Sequence, residues 1–362
     1  MQKPYILSTQ KYPTSKINPL INEYPTPNIM IQLLECIPNF SNGRDPEIIR
    51  AIANAITDTP GTILLNIDSN YAANRTVYTF VAKPDDACSA AFHAIKTATN
   101  LIDMEQHEGA HPRIGAADVC PLVPIHNINI KETAKYAIKL AKRVGSELAI
   151  PVYLYEAAAT TPERKSLAYI RKGQYENLPE KIKKLPPDFG PLDYNEKIKK
   201  TGATIIGARK FLLAYNINID TKNIDTAKKI ARELRNTLDF CKTLAWNIPE
   251  FNTLQISTNL TDPYQTPPEI AFETTKNIAS NYNVHVTGSE LVGMIPSDII
   301  LSTGRYYEKS VYSNIRLTDD ELIAIAVEKL NLQQNKNFDK TTQILNVKQL
   351  LDYPTNKSMK IG

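Results

Sequence analysis

Five histidines occur in the chain, and two of them fall in the segment Met104-Glu105-Gln106-His107-Glu108-Gly109-Ala110-His111-Pro112-Arg113-Ile114-Gly115. His107-Glu108-Gly109-Ala110-His111 fits HExxH, the zinc-hydrolase signature. That chemistry needs two imidazoles one helical turn apart and a glutamate acting on a metal-bound water. The local sequence opposes this geometry. Gly109 weakens a helix interior, and Pro112 disfavours the helical conformation at His111. The segment reads instead as a tight loop before a strand, where an imidazole can move protons near neutral pH. The plainer alternative for either histidine is a surface or capping role. Other polar positions have equally plain readings. Asp68 ends a strand, where aspartate often only starts a turn. Asn74-Arg75 fits turn chemistry, and Lys181, Lys183, Lys184, Lys197, Lys199 and Lys200 read as a solvated face.

These residues need elements to hold them. Ile31–Ile37 reads as a strand. Asp45-Pro46 opens a helix whose stripe is Ile48, Ile49, Ile52 and Ile56. Strands follow over Thr62–Ile67 and Arg75–Val81, then an Ala-rich helix over Asp85–Leu101 and a strand over Gly115–Val123. The order β-α-β-β-α-β is the ferredoxin-like pattern. A helix (Ile130–Val144) and a strand (Ile150–Tyr155) extend it. A helical piece spans Pro162–Lys172, and Pro186–Gly202, rich in Pro, Gly and Lys, reads as a linker or binding loop.

The second half repeats the order. Strand Phe211–Asn218 and helix Thr221–Arg235 come first. Strands near Lys242–Trp246 and Thr253–Ser257 follow. Thr266-Pro267-Pro268-Glu269 reads as a capping box opening a helix, and Val284–Thr287 as the closing strand. Asp319–Leu330 and Lys348–Tyr353 supply closing helices. The expected fold is α/β (α+β): two β-α-β-β-α-β subdomains packed through their sheets with helices outside, and a ligand cleft between them. The expected boundaries are 1–30 for an extended or partly disordered N-terminal extension, 31–210 for the first subdomain and 211–355 for the second.

Composition narrows the class. In 362 residues, 42 Lys+Arg against 38 Asp+Glu leave +4, too balanced for a dedicated nucleic-acid binder. No apolar run approaches the roughly 18 residues of a membrane span. Cys36, Cys88, Cys120 and Cys241 have no CxxC spacing and read as buried thiols in a reducing, cytoplasmic setting.

Several strings resemble the glutamate formimidoyltransferases. They are Leu34-Glu35-Cys36-Ile37-Pro38-Asn39-Phe40-Ser41, Asn74-Arg75-Thr76-Val77-Tyr78-Thr79-Phe80-Val81, Leu101-Ile102-Asp103-Met104, and His111-Pro112-Arg113-Ile114-Gly115-Ala116 with Asp118-Val119-Cys120-Pro121. Pro151-Val152-Tyr153-Leu154-Tyr155, Pro187-Asp188-Phe189-Gly190-Pro191 and Gly207-Ala208-Arg209 add to the likeness, which covers about residues 31–330. The resemblance implies two α/β subdomains around a tunnel and transfer of a formimino group from N-formimino-L-glutamate to N5 of tetrahydrofolate in histidine degradation. It implies His111 as catalytic, Asp68 as its support, and folate contacts along Gly190, Pro191, Leu192, Asp193, Tyr194 and Gly202. Arg113, Arg75 and Asn74 are the implied substrate contacts. Tetrahydrofolate is the co-substrate, no metal is required, and a homodimer without nucleic-acid or membrane partners is expected. Formyl transfer between glutamate and 5-formyltetrahydrofolate is the close alternative, and an HExxH zinc hydrolase the distant one. Two departures stand out: Arg235–Phe240 is short and not basic, and Leu192–Thr201 is longer and richer in lysine than the family pattern. The chain ends at Gly362, so the expected form is the stand-alone transferase without a cyclodeaminase domain.

Overall fold

The computed structural model describes residues 31–71, 73–248, 253–308, 317–334 and 337–351. The expectation for residues 1–30, and the end of the helix expected at 348–353, lie outside the described residues. In the first half, β1 (Leu33–Cys36) and β2 (Asn39–Phe40) are followed by α1 (Pro46–Thr57), β3 (Thr62–Asn70), β4 (Arg75–Ala82) and α2 (Pro84–Leu101). Then come β5 (Ala117–His126), α3 (Ile130–Leu148), β6 (Val152–Glu156), α4 (Leu167–Arg171), α5 (Leu178–Lys184), α6 (Glu196–Thr201) and β7 (Thr204–Ala208). Local chemistry sets the helix starts. Asp45 accepts from Glu47 N at 2.9 Å with Pro46 at the first helical position. Asn129 and Glu132 form a reciprocal capping box on α3.

β1 and β2 each pair with both β4 and β5, so they are two segments of one line broken at Ile37-Pro38. The sheet runs β3, β4, β1/β2, β5, β7, β6. It is antiparallel up to β5 and parallel beyond. Leu34, Cys36, Phe40, Tyr78, Phe80 and Leu122 project from one face into a core with α1, α2 and α3. The opposite face is covered at its β6–β7 end by Ile170, Leu178, Ile182 and Ile198 of α4, α5 and α6.

The second half holds β8 (Leu213–Ile219), α7 (Ile224–Thr237), β9 (Cys241–Ile248), β10 (Thr253–Leu260), α8 (Pro268–Ser280) and β11 (Val286–Val292). They are followed by β12 (Ile295–Pro296), α9 (Ser297–Glu308), α10 (Asp319–Lys329), α11 (Lys340–Gln343), β13 (Ile344–Leu345) and α12 (Val347–Leu351). Its sheet is antiparallel in the order β11, β8, β10, β9 and has a separate core under α7 to α10. The halves meet where Leu33 and Val81 of the first sheet contact Met294 and Leu345. Among the described residues no helix is long and apolar enough to cross a membrane.

Three expectations are corrected. The capping box at Thr266–Glu269 does not form: Pro267 is the N-cap, the Thr266 hydroxyl donates to Asp239 O at 2.7 Å, and Glu269 accepts from Thr303 at 2.7 Å. The stretch 186–202 is not all loop, because Asn195 accepts from Ile198 N and starts α6. Lys181 is not part of a solvated face; it is buried and donates to Lys172 O at 2.6 Å.

Candidate active site

The segment between α2 and β5 is not helical over His107–His111, so the helix that HExxH zinc chemistry requires is not formed. Its end is zipped between two parts of the chain. Ser41 Oγ donates to Gly115 O at 2.7 Å, Ala116 N donates to Thr201 O at 2.8 Å, and Ala203 N donates to Ile114 O at 3.1 Å. Gly115 and Gly202 form a β-bridge there. A Cβ on Gly115 would collide with Ala203 O, and one on Gly202 with the Gly115 backbone. Gly202 also takes φ +68°, which disfavours any side chain.

His111 projects from this loop beside three charged groups. Asp118 is fully buried; its Oδ1 accepts from Ile114 N at 3.0 Å, and its Oδ2 lies 2.6 Å from Arg75 Nη1 and 2.7 Å from Arg171 Nη2. Burial pushes the Asp118 carboxyl up, but Arg171 and Arg75 outweigh it and hold it below the usual range. Two guanidiniums on one carboxylate leave a net positive charge beside the ring. Burial first, then Arg75 and Arg171, lower the His111 pKa to about 4, while Asp118 pulls the other way. His111 Nδ1 lies 2.7 Å from Pro112 O. A carbonyl only accepts, so Nδ1 carries the proton and Nε2 is the basic nitrogen of a neutral ring.

His107 does something different. Its Nε2 donates to Asn74 O at 2.9 Å, and its Nδ1 accepts from Arg113 Nε at 3.1 Å. Burial, and secondarily Arg113, lower its pKa. Arg113 also donates to His107 O and pairs with Glu176 at 2.7 Å. Asn74, at φ +47°, donates through its amide to Glu108 O and accepts from Gly43 N. Of the three implied substrate contacts, Arg113 and Asn74 are thus tied into the loop, and Arg75 stands beside His111. Arg75 is held by Asn39 Oδ1 at 2.9 Å.

Asp68 lies inside β3, opposite Val77, rather than after the strand. Val77 is out of phase with Tyr78 and Phe80, so Asp68 shares the sheet face away from α1–α3 with Asn39 and Arg75. The carboxylate among the leading influences on His111 is nevertheless Asp118.

The Gly190–Gly202 stretch is fixed at both ends. Asp188 accepts from Leu154 N at 2.7 Å, Thr160 Oγ1 at 2.8 Å and Arg164, which sets Gly190 (φ +89°) against Ile150. Gly202 closes on Gly115. Between them Leu192 is 63% exposed, and Tyr194 packs beside Ile198 and Tyr175. Sequence reading missed Arg171 and the role of Asp118, because 53 residues separate the pair and no spacing links them. Among the described residues no group of three His, Cys, Asp or Glu is gathered as a metal site.

Residues 33–209 match the family model "Formiminotransferase domain, N-terminal subdomain", and residues 214–349 match "Formiminotransferase domain". The chain is 44% identical over 284 residues to a glutamate formimidoyltransferase of Thermoplasma acidophilum, covering 76% of this chain and 92% of that protein. It is 41% identical over 283 residues to the Streptococcus pyogenes enzyme of the same name, covering 77% and 94%. A formimidoyltransferase-cyclodeaminase of Dictyostelium discoideum is 41% identical over 345 residues, covering 92% of this chain but 62% of that protein. The chain thus spans about three fifths of such relatives. With residues 33–209 and 214–349 matched in order by the two models, the chain belongs to the formiminotransferase domain family.

Proposed function

We propose that the chain transfers the formimino group of N-formimino-L-glutamate to N5 of tetrahydrofolate, giving L-glutamate and 5-formiminotetrahydrofolate, as a step of histidine degradation. One observation carries the reading. A neutral His111, protonated on Nδ1, presents a basic Nε2 beside two guanidiniums that share a single carboxylate.

The chemistry follows from that arrangement. N5 of the folate attacks the formimino carbon, and Nε2 takes the N5 proton as the new C–N bond forms. The same proton passes to the glutamate nitrogen as the old C–N bond breaks. The imidazolium that exists between these steps is stabilised by Asp118, and Asp68 supports it from the neighbouring strand. The surplus charge of Arg75 and Arg171 receives a carboxylate of formiminoglutamate, with Arg113 and Asn74 holding the loop in register. Tetrahydrofolate lies along Gly190–Gly202, contacting Pro191, Leu192, Asp193 and Tyr194. This relay runs without a metal.

We also read both halves as ferredoxin-like units packed through their sheets. The shared element order, the two matching antiparallel strand orders and the apolar contact of Leu33 and Val81 with Met294 and Leu345 support that reading.

Incubation with both substrates tests the function: 5-formiminotetrahydrofolate should appear, and His111→Ala should lower turnover by roughly 100-fold or more. No product from folded wild-type protein, or full turnover by His111→Ala, would overturn it.

A further inference from the structure

Glu35 sits on β1 in the string Leu34-Glu35-Cys36, one residue either side of side chains committed to the α1–α3 core. It is 1% exposed, and its Oε2 is buried without a hydrogen-bond partner. A buried carboxylate oxygen is rarely left so, because it loses its water and gains no hydrogen bond in return. Packing does not explain it. Its cross-strand partners Val81 and Val123 are apolar, and an apolar residue would suit that position better. A carboxylate held in such a place is waiting for donors.

Its position says where those donors come from. Glu35 is out of phase with Leu34 and Cys36, so it points to the sheet face away from α1–α3, the face that carries Asp68 and Arg75. On β4 the line of Asp68 is Val77 and the line of Glu35 is Val81. Four residues of strand separate them by about 13 Å. Charge connects the two ends. Arg209 acts on Glu35 and on Tyr155, and Arg171 acts on Tyr155 and on His111. Between β1 and β6, Pro121 and Gly207 lie side by side on β5 and β7, and the Tyr155 ring sits over Gly207 on β6. Burial, partly offset by Arg209, raises the Glu35 pKa to about 7, so its ionised form is within easy reach near neutral pH.

We infer that Glu35 recognises the pterin of the folate co-substrate, its two carboxylate oxygens accepting from N3–H and from the 2-amino group. This rests on the function proposed above. The pyrimidine edge of a tetrahydropterin presents two N–H donors side by side, the match for a carboxylate that a guanidinium fork also provides. The ring lies with N5 toward His111 and this edge toward Glu35. The other substrate cannot fill the role: the carboxylates of formiminoglutamate are acceptors and would repel Glu35.

The test uses the intact protein and calorimetric binding of two halves of the co-substrate under reducing conditions. One is a tetrahydropterin bearing only a methyl group at C6, and the other is p-aminobenzoylglutamate. Glu35→Gln keeps the shape but replaces one acceptor with a donor. It should weaken the pterin fragment roughly 10- to 100-fold, the scale of a charge-assisted hydrogen bond. It should leave the tail fragment and the KM for formiminoglutamate unchanged. A pterin lacking the 2-amino group should show a comparable loss on wild-type protein, which needs no variant to fold. Unchanged pterin affinity in folded Glu35→Gln, or undiminished binding of the desamino pterin, overturns the inference while wild-type turnover stands. If wild-type protein neither binds tetrahydrofolate nor makes product, the proposed function falls and this inference with it.

Discussion

His111 is held neutral by burial and by Arg75 and Arg171, and that state has a measurable signature. In kcat/KM, which reports the free enzyme, the acid limb attributable to this base should fall near pH 4. A substrate carboxylate on the two guanidiniums cancels part of their field. The limb in kcat should therefore lie at higher pH than the limb in kcat/KM. A common limb near the ordinary histidine value in both profiles would mean that the arginines do not set the ring. His107 should behave otherwise, since both of its ring nitrogens are already bonded within the loop. His107→Ala should lower thermal stability and cost less turnover than His111→Ala; equal inactivation with folding intact would sink the single-histidine mechanism. Glu35 gives the third residue-scale prediction. Its folded pKa is about 7 against about 4.5 unfolded, so the folded state binds more protons between those values. Stability is therefore fully present below about pH 4.5 and is lost as pH rises through 7, by on the order of 3 kcal/mol. Glu35→Gln should remove that slope and be more stable than wild type at pH 8 by urea denaturation. A parallel pH dependence in the two proteins would show that Glu35 is ionised at no cost. At this scale the sequence marked residues 107–111 as a loop through Gly109 and Pro112, and only the family resemblance singled out His111 within it. It could not point to Arg171 or to the lone Glu35, whose meaning depends on what lies across the fold.

At the scale of elements, the active loop is positioned by one crossing of backbones, Gly115 against Gly202. Gly202→Ala would place a Cβ against Gly115 at φ +68°. The expected cost is about 1–3 kcal/mol, with turnover reduced more than the loss of folded protein explains, because Ile114–Ala116 must shift and carry His111 with it. A melting curve and a kcat measurement on the same sample check this; wild-type kcat in a destabilised variant would separate the crossing from the chemistry. Most elements of both halves were readable from period and caps: Asp45-Pro46 and the stripe Ile48, Ile49, Ile52 and Ile56 mark α1. The misses share a cause. β7 is a five-residue apolar run whose strand character comes from parallel pairing with β5 and β6, and α6 is six lysine-rich residues that look like linker until Asn195 caps them. The box at Thr266 failed because Pro267 took the cap position, and Glu269 found Thr303 in the core instead.

At the scale of the whole molecule, two separate cores support the two sheets, and a small apolar patch joins them. The patch is Leu33 and Val81 from the first sheet with Met294 and Leu345 from the second half. Leu65, Ile125, Phe211 and Leu350 pack around it. By strand register Leu33 and Val81 lie on the same sheet face as Asp68, Arg75 and Glu35, so the proposed site should keep its shape only while the patch holds. Leu345 pairs through β13 with Pro296 and is almost fully buried. Leu345→Asp would bury an unpaired carboxylate there, at a cost of several kcal/mol. Each core would keep its own contacts, so the expected result is uncoupling rather than global collapse. Calorimetry should show one cooperative melt in wild type and two transitions in the variant, with turnover lost well below the first. Leu345→Met, which conserves volume and apolarity, should keep the single melt and the activity. A variant Leu345→Asp that melts once and turns over normally would mean that the halves do not depend on this patch, and that the proposed site is held in place by contacts elsewhere.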